Sequence, residues 1–276
     1  MKLSPLRLWL AVLLVSGLAS PALAAGPDFS WSEAMASGKT IKIYGVSGEI
    51  EATRAPGRQA SVTAIKTSKS NQTDRVRIEA TPSADGITIC AIYPEKHGRE
   101  STCDEHGMHG DDMEDTDVEV AFTVQVPEGV QLDARQVNGT VQATDLASDV
   151  DASTVNGSVH LSTTGLAQAR TVNGSINVSM GKGTWEHPLR MKTVNGSVRL
   201  SLPHEVNAKL SASSVNGSIS SDFPVTVEGA FWSRGGKLGG TIGKGGGELT
   251  IETVNGSIVI SRAGGADGAS DKKTKL

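Results

Sequence analysis

The chain of 276 residues has few aromatic side chains and little helical periodicity. Aromatic residues make up 4% of it, so a groove that stacks sugar rings on successive aromatic side chains is not predicted. Apolar residues spaced as on a helix face are missing outside the N-terminal segment, which excludes an all-α or α/β fold. The formal net charge of −4 at pH 7 argues against nucleic acid and anionic lipid as partners.

Long apolar runs are also scarce. The run from Leu8 to Leu18 is too short to span a membrane. It follows Lys2 and Arg7 and precedes Ala22-Leu23-Ala24, which is the three-part pattern of a secretory signal peptide. We therefore expect residues 1–24 to be removed and the mature protein to have no membrane-spanning segment. The expected location is the periplasm, the cell surface or the medium.

The chain has only two cysteines, Cys90 and Cys103. An even pair close in the sequence of an exported protein predicts a disulfide rather than a catalytic or metal-binding thiol. The bridge would tie a strand over residues 86–93 to an irregular loop.

A repeat dominates the second half of the sequence. The pentad Val-Asn-Gly-Ser/Thr-Val/Ile occurs six times, and successive Asn residues are 18, 17, 22, 21 and 39 positions apart. A unit that recurs about every 20 residues cannot bury its own apolar face and must stack on its neighbours. The predicted structural residues of the repeat are Asn138, Gly139, Asn156, Gly157, Asn173, Gly174, Asn195, Gly196, Asn216, Gly217, Asn255 and Gly256.

Apolar and polar residues alternate within each pentad. Val155, Gly157 and Val159 share one parity, and Asn156 and Ser158 share the other. This period of two predicts a strand with its Val and Gly residues toward the core. A two-residue hairpin turn at Asn-Gly would pair apolar with polar residues, so we expect a continuous strand kinked at Gly. Stacked Val residues should fill the core, and stacked Asn residues should form a ladder on one corner.

The predicted fold is all-β, a right-handed parallel β-helix or β-solenoid with coils of about 17–23 residues and three short strands per coil. An N-terminal β-strand region with the disulfide loop is expected over residues 25–126, regular coils over 127–262 and a disordered tail over 263–276. Two atypical copies are expected as well. Val46–Ile50 resembles a first coil without Asn, and Leu238–Ile242 resembles a degenerate copy inside the longest interval.

Several stretches besides the repeats carry a family resemblance. They are Cys90–Pro94, Cys103, Val120–Pro127, Ser221–Pro224 and the ending Gly240–Ile258. Their order resembles the bacterial family named "putative adhesin", a group of β-strand-repeat domains of unknown function, over nearly the whole mature chain. The resemblance implies an exported, β-helix-like protein with no established catalytic residues. It also implies two roles, adhesion and participation in a cell-envelope stress response.

Neither a metal site nor a cofactor is predicted. The nearest candidate is the loop over residues 94–116, which carries His97, His106, His109 and Asp111. Imidazole and carboxylate ligands would suit zinc, copper or nickel, but their spacing matches no well-defined site. A solvated acidic loop is the preferred interpretation.

The sequence therefore predicts a non-enzymatic envelope protein, an adhesin or scaffold. Its partners would be an envelope protein, a surface glycan or further copies of itself. One alternative is a periplasmic accessory or sensor protein of envelope stress. Another is a polysaccharide-active enzyme, which would need carboxylates converging on one face. Because the acids of the coils are scattered along the sequence, no catalytic residue is predicted.

Overall fold

The computed structural model describes residues 26–110, 112–226 and 236–263. The expected signal peptide and all but the first residue of the expected tail lie outside them. The described part of the chain forms strands, with two single 3-10 turns at Thr73–Arg75 and Lys96–Gly98. No helix in these ranges is long and apolar enough to cross a membrane.

The strands are numbered along the chain. They are β1 (Phe29–Ala34), β2 (Thr40–Tyr44), β3 (Ile50–Arg54), β4 (Gln59–Thr67), β5 (Arg77–Ser83), β6 (Gly86–Ile92), β7 (Pro94–Glu95), β8 (Arg99–Glu100), β9 (Thr102–Asp104), β10 (Gly107–His109), β11 (Glu119–Val126), β12 (Gln131–Arg135), β13 (Val141–Leu146), β14 (Val150–Ser153), β15 (Val159–Thr163), β16 (Ala167–Arg170), β17 (Ile176–Met180), β18 (Leu189–Lys192), β19 (Val198–Leu202), β20 (Ala208–Asn216), β21 (Ile219–Ser221), β22 (Val225–Thr226), β23 (Lys237–Ile242), β24 (Gly247–Asn255) and β25 (Ile258–Arg262).

Two long sheets enclose one core. Sheet A has the strand order β1-β4-β11-β3-β13-β15-β17-β19-β25-β21, and sheet B has the order β22-β23-β20-β24-β18-β16-β14-β12-β2-β6-β5. From β12 to β19 the chain alternates between them, so each coil gives one strand to each sheet and neighbouring strands run parallel. The fold is thus all-β with long parallel sheets, as predicted. The expectation of three strands per coil was wrong, because the third segment is a sharp corner rather than a strand.

The core is built from stacked apolar side chains. In sheet A, Val141, Val159, Ile176, Val198 and Ile258 occupy equivalent places on successive strands, and all five are fully buried. Each such side chain stabilises the fold by about 1.5–3 kcal/mol through burial. No coil could bury these side chains alone, so the stack is cooperative.

The first coil begins before the Val-Asn-Gly series. Ser47 forms a parallel bridge with Asn138, and β2 and β3 pair with β12 and β13. The expectation that Val46–Ile50 is an atypical first copy is therefore confirmed.

The last coils are stacked out of chain order. β24 and β25 lie between the β18–β19 coil and the β20–β21 coil, so Asn255 is in contact with both Asn195 and Asn216. The expected degenerate copy at Leu238–Ile242 was wrong, because β23 runs antiparallel to β20. A short Gly-rich turn over 243–246, packed against Asn207, then leads from β23 into β24.

The Val of the pentad faces outward, contrary to the sequence expectation. Five of the six side chains, those of Val137, Val155, Val172, Val215 and Val254, are between 36% and 72% exposed. The chain turns from sheet B into sheet A at the pentad, and this turn breaks the two-residue alternation. The residue before each Val points inward instead. These buried residues are Gln136, Thr154, Thr171, Thr193, Ser214 and Thr253.

The Gly of the pentad is required by the close approach of successive coils. A Cβ added to Gly157 would lie 2.0 Å from the carbonyl oxygen of Gly139, and one on Gly174 would lie 1.9 Å from that of Gly157. The same clash recurs at Gly196, at 2.0 Å from the Gly174 oxygen. Such distances are far inside van der Waals contact, so no larger residue fits without pushing the coils apart.

The buried hydroxyl before each Val uses that same carbonyl. Thr171 Oγ1 donates to the Gly157 oxygen at 2.8 Å, and Thr193 Oγ1 donates to the Gly174 oxygen at 2.8 Å. A hydroxyl that satisfies a buried carbonyl is worth about 1 kcal/mol, and leaving that carbonyl unpaired would cost about 1–3 kcal/mol. Equivalent bonds are made by Gln136, Thr154, Ser214 and Thr253.

The six Asn side chains form a ladder along the outside of the same corner. The Nδ2 of Asn156 donates to Asn138 Oδ1 at 2.8 Å, and Asn173 and Asn195 continue the series at 2.8 Å each. Asn255 follows at 2.7 Å and Asn216 ends the ladder at 2.8 Å. The corner therefore carries two parallel hydrogen-bond series, one buried and one exposed.

We expect Gly174→Ala to destabilise the protein by roughly 3 kcal/mol or more, because its Cβ would overlap a backbone carbonyl that cannot move independently. Equilibrium urea unfolding would measure the change. Ser175→Ala, one residue further along the same corner, is the matched control and should cost much less. Equal losses for the two variants would contradict the close-approach account.

Candidate functional site

A shallow groove lies on the outer face of sheet A. Its volume is about 1010 Å³, and it crosses β13, β15, β17, β19 and β25. The alternation along each strand sends one set of side chains into the core and the other into this groove. The outward-facing side chains of the groove are polar apart from Val259, and the core residues Ala143, Leu161, Val178 and Leu200 also border it.

Two rows of side chains run along the groove across the strands. The first row consists of Gln142, His160, Asn177, Arg199 and Val259, which are register partners on successive strands. The second row consists of hydroxyl groups, and its members are Ser162, Ser179, Ser201 and Ser261. Neighbours within a row are about 4.8 Å apart, which is the spacing of strands in a sheet.

One hydrogen bond fixes the histidine of the first row. Asn177 Nδ2 lies 3.1 Å from His160 Nδ1. Because the amide nitrogen is a donor, Nδ1 accepts and the neutral ring carries its proton on Nε2. His160 therefore offers the groove a hydrogen-bond donor.

Most of the other polar groups in the groove are open. Arg199, Ser179, Ser201 and Ser261 make no side-chain hydrogen bond to any residue that the structure describes. The two carboxylates near the groove lie at its ends. Asp145 accepts from Ser162 Oγ at 3.3 Å. At the other end, Asp222 accepts from the Arg262 backbone N–H at 3.3 Å.

The outer face of sheet B is charged. Asp133 and Asp151 are register partners on β12 and β14. Arg135 donates to both oxygens of Asp133, at 2.9 and 3.0 Å, and Arg170 lies 3.6 Å from Asp151. The guanidinium of Arg135 also lies over the Tyr44 ring, at 5.4 Å from its centroid. Each carboxylate of the pair thus has its own cation.

The sequence interpretation of scattered acids was wrong for this pair. Asp133 and Asp151 each lie five residues before the Asn of their own pentad, since 138 − 133 and 156 − 151 are both 5. Aligning the copies over a longer window would have placed the two carboxylates side by side. The same alignment gives Gln168 in the next coil, so the acidic run ends after two members.

Burial raises the pKa of the Asp151 carboxyl above its usual range. The nearby Arg170 guanidinium opposes this effect, and the Asp133 carboxylate adds to it. Folded protein consequently holds a proton on Asp151 at a pH where unfolded protein has lost it. The stabilising contribution of this group is present at acid pH and is lost as the pH rises through the folded pKa.

The disulfide loop covers part of the charged face. Cys90 and Cys103 are bonded, as predicted, with their Cα atoms 6.0 Å apart. Tyr44 donates from its hydroxyl to the His106 carbonyl at 3.3 Å, and Lys42 donates to the Glu105 carbonyl at 2.8 Å. The bridge should stabilise the fold by about 2–4 kcal/mol by restricting the unfolded chain.

The structure does not gather the metal candidates of this loop. His109 Nε2 lies 3.1 Å from Asp104 Oδ1, and His106 lies 3.7 Å from Glu105. His97 occupies a 3-10 turn with a positive φ of 65°, and Asp111 lies outside the described residues. Among the residues described, no group of three or more His, Cys, Asp or Glu could hold a metal ion.

Asp117, which follows this loop, is hydrogen-bonded to the segment after β4. It accepts hydrogen bonds from the hydroxyls of Ser68 and Ser70 at 2.8 and 2.7 Å, and from the Ser70 N–H at 2.7 Å. These donors lower the pKa of Asp117 to about 2. Asp117 therefore fixes the loop after β4.

We expect Asp151→Asn to leave stability at pH 7 unchanged or higher, because the charged form is the one that burial disfavours. The difference in free energy of unfolding between variant and parent should shrink near pH 3, where Asp151 is protonated in both the folded and the unfolded protein. Urea unfolding at the two pH values would measure it. Asp74→Asn, at an exposed position without an ion pair in the described chain, is the control. A large loss at pH 7 confined to Asp151→Asn would contradict this assignment.

Three solved structures are similar to this chain. A "putative cell adhesion protein" from Clostridium sporogenes ATCC 15579 has a TM-score of 0.43 at 11% identity, with 86% of this chain and 100% of that chain covered. A "putative adhesin" from Bacteroides fragilis NCTC 9343 has a TM-score of 0.29 at 10% identity, with 84% and 96% covered. A "putative adhesin" from Parabacteroides merdae ATCC 43184 has a TM-score of 0.19 at 10% identity, with 84% and 95% covered.

Among proteins with curated functions, none matches the sequence. A family model does match. The model described as Toastrack DUF4097 covers residues 112–261, which is more than half of the chain and includes all six Asn-Gly pairs. The family resemblance seen in the sequence is thereby confirmed, and the chain belongs to the Toastrack DUF4097 family.

Proposed function

We propose that the protein is an exported, non-enzymatic binding protein, an adhesin or cell-envelope scaffold, that uses the groove of sheet A to hold its partner. The observation that carries this proposal is the pair of aligned polar rows, in which Arg199 and three Ser hydroxyls have no partner in the described chain. Groups of this kind can exchange water for a ligand without first breaking a hydrogen bond within the described protein.

The stacked corners support a binding role because they make the groove rigid. Each coil is tied to the next by the Thr–Gly and Asn–Asn bonds and by parallel strands in both sheets. A surface built on a backbone that is held in place loses little backbone entropy when it binds. We take the coils to be right-handed, the hand that parallel β-crossovers adopt in nearly all cases.

The composition of the groove favours a surface glycan as the ligand. Its lining offers hydroxyls, two amides, an imidazole N–H, one guanidinium and the Asp222 carboxylate, and it includes no Phe, Tyr or Trp. Recognition would therefore depend on hydrogen bonds to sugar hydroxyls rather than on ring stacking. Arg199, on the fourth of the five strands that the groove crosses, would favour a glycan that carries some carboxylate or phosphate.

The placement of the carboxylates supports a non-enzymatic role. A glycosidase needs two carboxyl groups facing each other across the bond to be cleaved. In the described structure Asp145 and Asp222 lie at opposite ends of the groove, and Asp133 and Asp151 lie on the other sheet and are paired with Arg residues. Export is supported by the signal-like residues 1–24 and by the disulfide, which suits an oxidising compartment.

Binding of the mature protein to immobilised polysaccharide from bacterial envelopes would test the proposal. We expect Ser179→Trp, which fills the groove, and Arg199→Ala, which removes its guanidinium donors, each to weaken binding by about tenfold or more. Ser211→Trp on the exposed outer face of sheet B is the matched control and should bind like the parent protein.

The proposal fails if the parent protein binds no envelope polysaccharide, or if Ser211→Trp weakens binding as much as Ser179→Trp does. Capture of a signalling protein instead of a glycan would favour the role in envelope stress.

A further inference from the structure

The Asn-Gly pairs differ in whether another coil is stacked on them. In five of the six, the Gly N–H donates to the Asn backbone carbonyl of the next coil outward. These bonds are Gly139 to Asn156 at 2.9 Å, Gly157 to Asn173 at 3.0 Å, Gly174 to Asn195 at 3.0 Å, Gly196 to Asn255 at 2.9 Å and Gly256 to Asn216 at 3.1 Å.

The sixth pair, Asn216-Gly217, is the outermost one. No residue that the structure describes accepts a hydrogen bond from the Gly217 N–H or donates one to Asn216 Oδ1. Within the described chain, Asn216 has one rung of the ladder, the bond from its Nδ2 to Asn255 Oδ1 at 2.8 Å. Both residues are exposed, and the neighbouring Val215 is 72% exposed.

We propose that Asn216 is a site of spontaneous deamidation and that stacking protects the other five Asn-Gly pairs. The backbone nitrogen of Gly217 loses its proton and attacks Cγ of Asn216. A bond forms between this nitrogen and Cγ, the bond between Cγ and Nδ2 breaks, and Nδ2 leaves as ammonia. Water then opens the resulting succinimide to an aspartyl or isoaspartyl residue.

Protection follows from the hydrogen bonds of the inner corners. There the attacking nitrogen is held by a carbonyl of the next coil, and the side-chain amide is held in the ladder. Attack would need a backbone rotation that breaks the first bond, and so it would require local opening of a stacked coil. At Asn216 the nitrogen carries no such bond to any described residue, and no described coil need open.

Asn138 distinguishes the protection given by the bond on the Gly nitrogen from the protection given by the side-chain ladder. Its Nδ2 has no partner in the described structure, as expected for the first rung of the ladder, but its Gly139 N–H is bonded to Asn156. If the bond on the attacking nitrogen governs the reaction, Asn138 is protected although its side chain is only half engaged.

Deamidation would change the end of the solenoid. An aspartate at position 216 replaces the amide donor with a carboxylate oxygen facing Asn255 Oδ1, so that two acceptors oppose each other. The isoaspartyl product also adds a methylene to the backbone between β20 and β21. Age would therefore loosen the terminal coil first.

The test is to incubate the folded protein in mildly alkaline buffer and follow deamidation at each of the six sites by peptide mass spectrometry. We expect Asn216 to react at least about tenfold faster than any other Asn-Gly site, because the others must open locally first. Urea-unfolded protein is the control, since all six pairs share the same two residues and should then react at similar rates.

Reaction of Asn195 as fast as that of Asn216 in the folded protein would overturn the proposal. Reaction of Asn138 together with Asn216 would also overturn it, because the bond to the Gly nitrogen would then give no protection.

Discussion

The fold depends on the contact between one Gly carbonyl and the next Gly at each corner. The oxygen of Gly157 occupies the space that a side chain on Gly174 would need, and it accepts the hydroxyl of Thr171. This contact sets how closely the coils approach and which residue of one coil lies over which residue of the next. Alternation fixes which face of each strand is buried, but it does not by itself distinguish registers that differ by two residues. The corner supplies that information once in every coil.

Fixed register accounts for the features of the surface. Because equivalent residues lie over one another, the outward positions of sheet A become continuous rows rather than isolated polar groups. The same alignment brings Asp133 beside Asp151 on sheet B and requires a cation for each. It also makes the ends of the stack chemically different from its middle. The N-terminal coil is covered by further strands, whereas Asn216 lies at the outer end of the ladder.

The sequence predicts the architecture better than the orientation of its residues. The interval between Asn residues is enough to infer stacking, and the two cysteines are enough to infer a disulfide. The exposed position of Val172 could not be inferred from alternation, because alternation holds only within a strand and the chain turns a corner at this residue. The signal was present in the preceding Thr171, a small hydroxyl residue that recurs in most copies at the position that becomes buried.

Two other features depend on contacts between residues distant in the sequence. Nothing local shows that Asn255 inserts between Asn195 and Asn216, since this order is visible only in the pairing of β24 with β18 and β20. The groove likewise belongs to no single pentad. It exists only when five strands are aligned, and its polar rows are visible in the sequence only after the copies have been aligned on Asn.

Amide hydrogen exchange tests the role of the corners most directly. If the corner bonds are integral to the stack, the Gly174 and Gly196 amides, which donate at 3.0 and 2.9 Å, should exchange as slowly as the core-strand amides of Val178 and Leu200. The Gly217 amide should exchange much faster. Rapid exchange at Gly174 and Gly196 with slow exchange in the strands would show that the sheets hold the coils without the corners, and it would contradict this account.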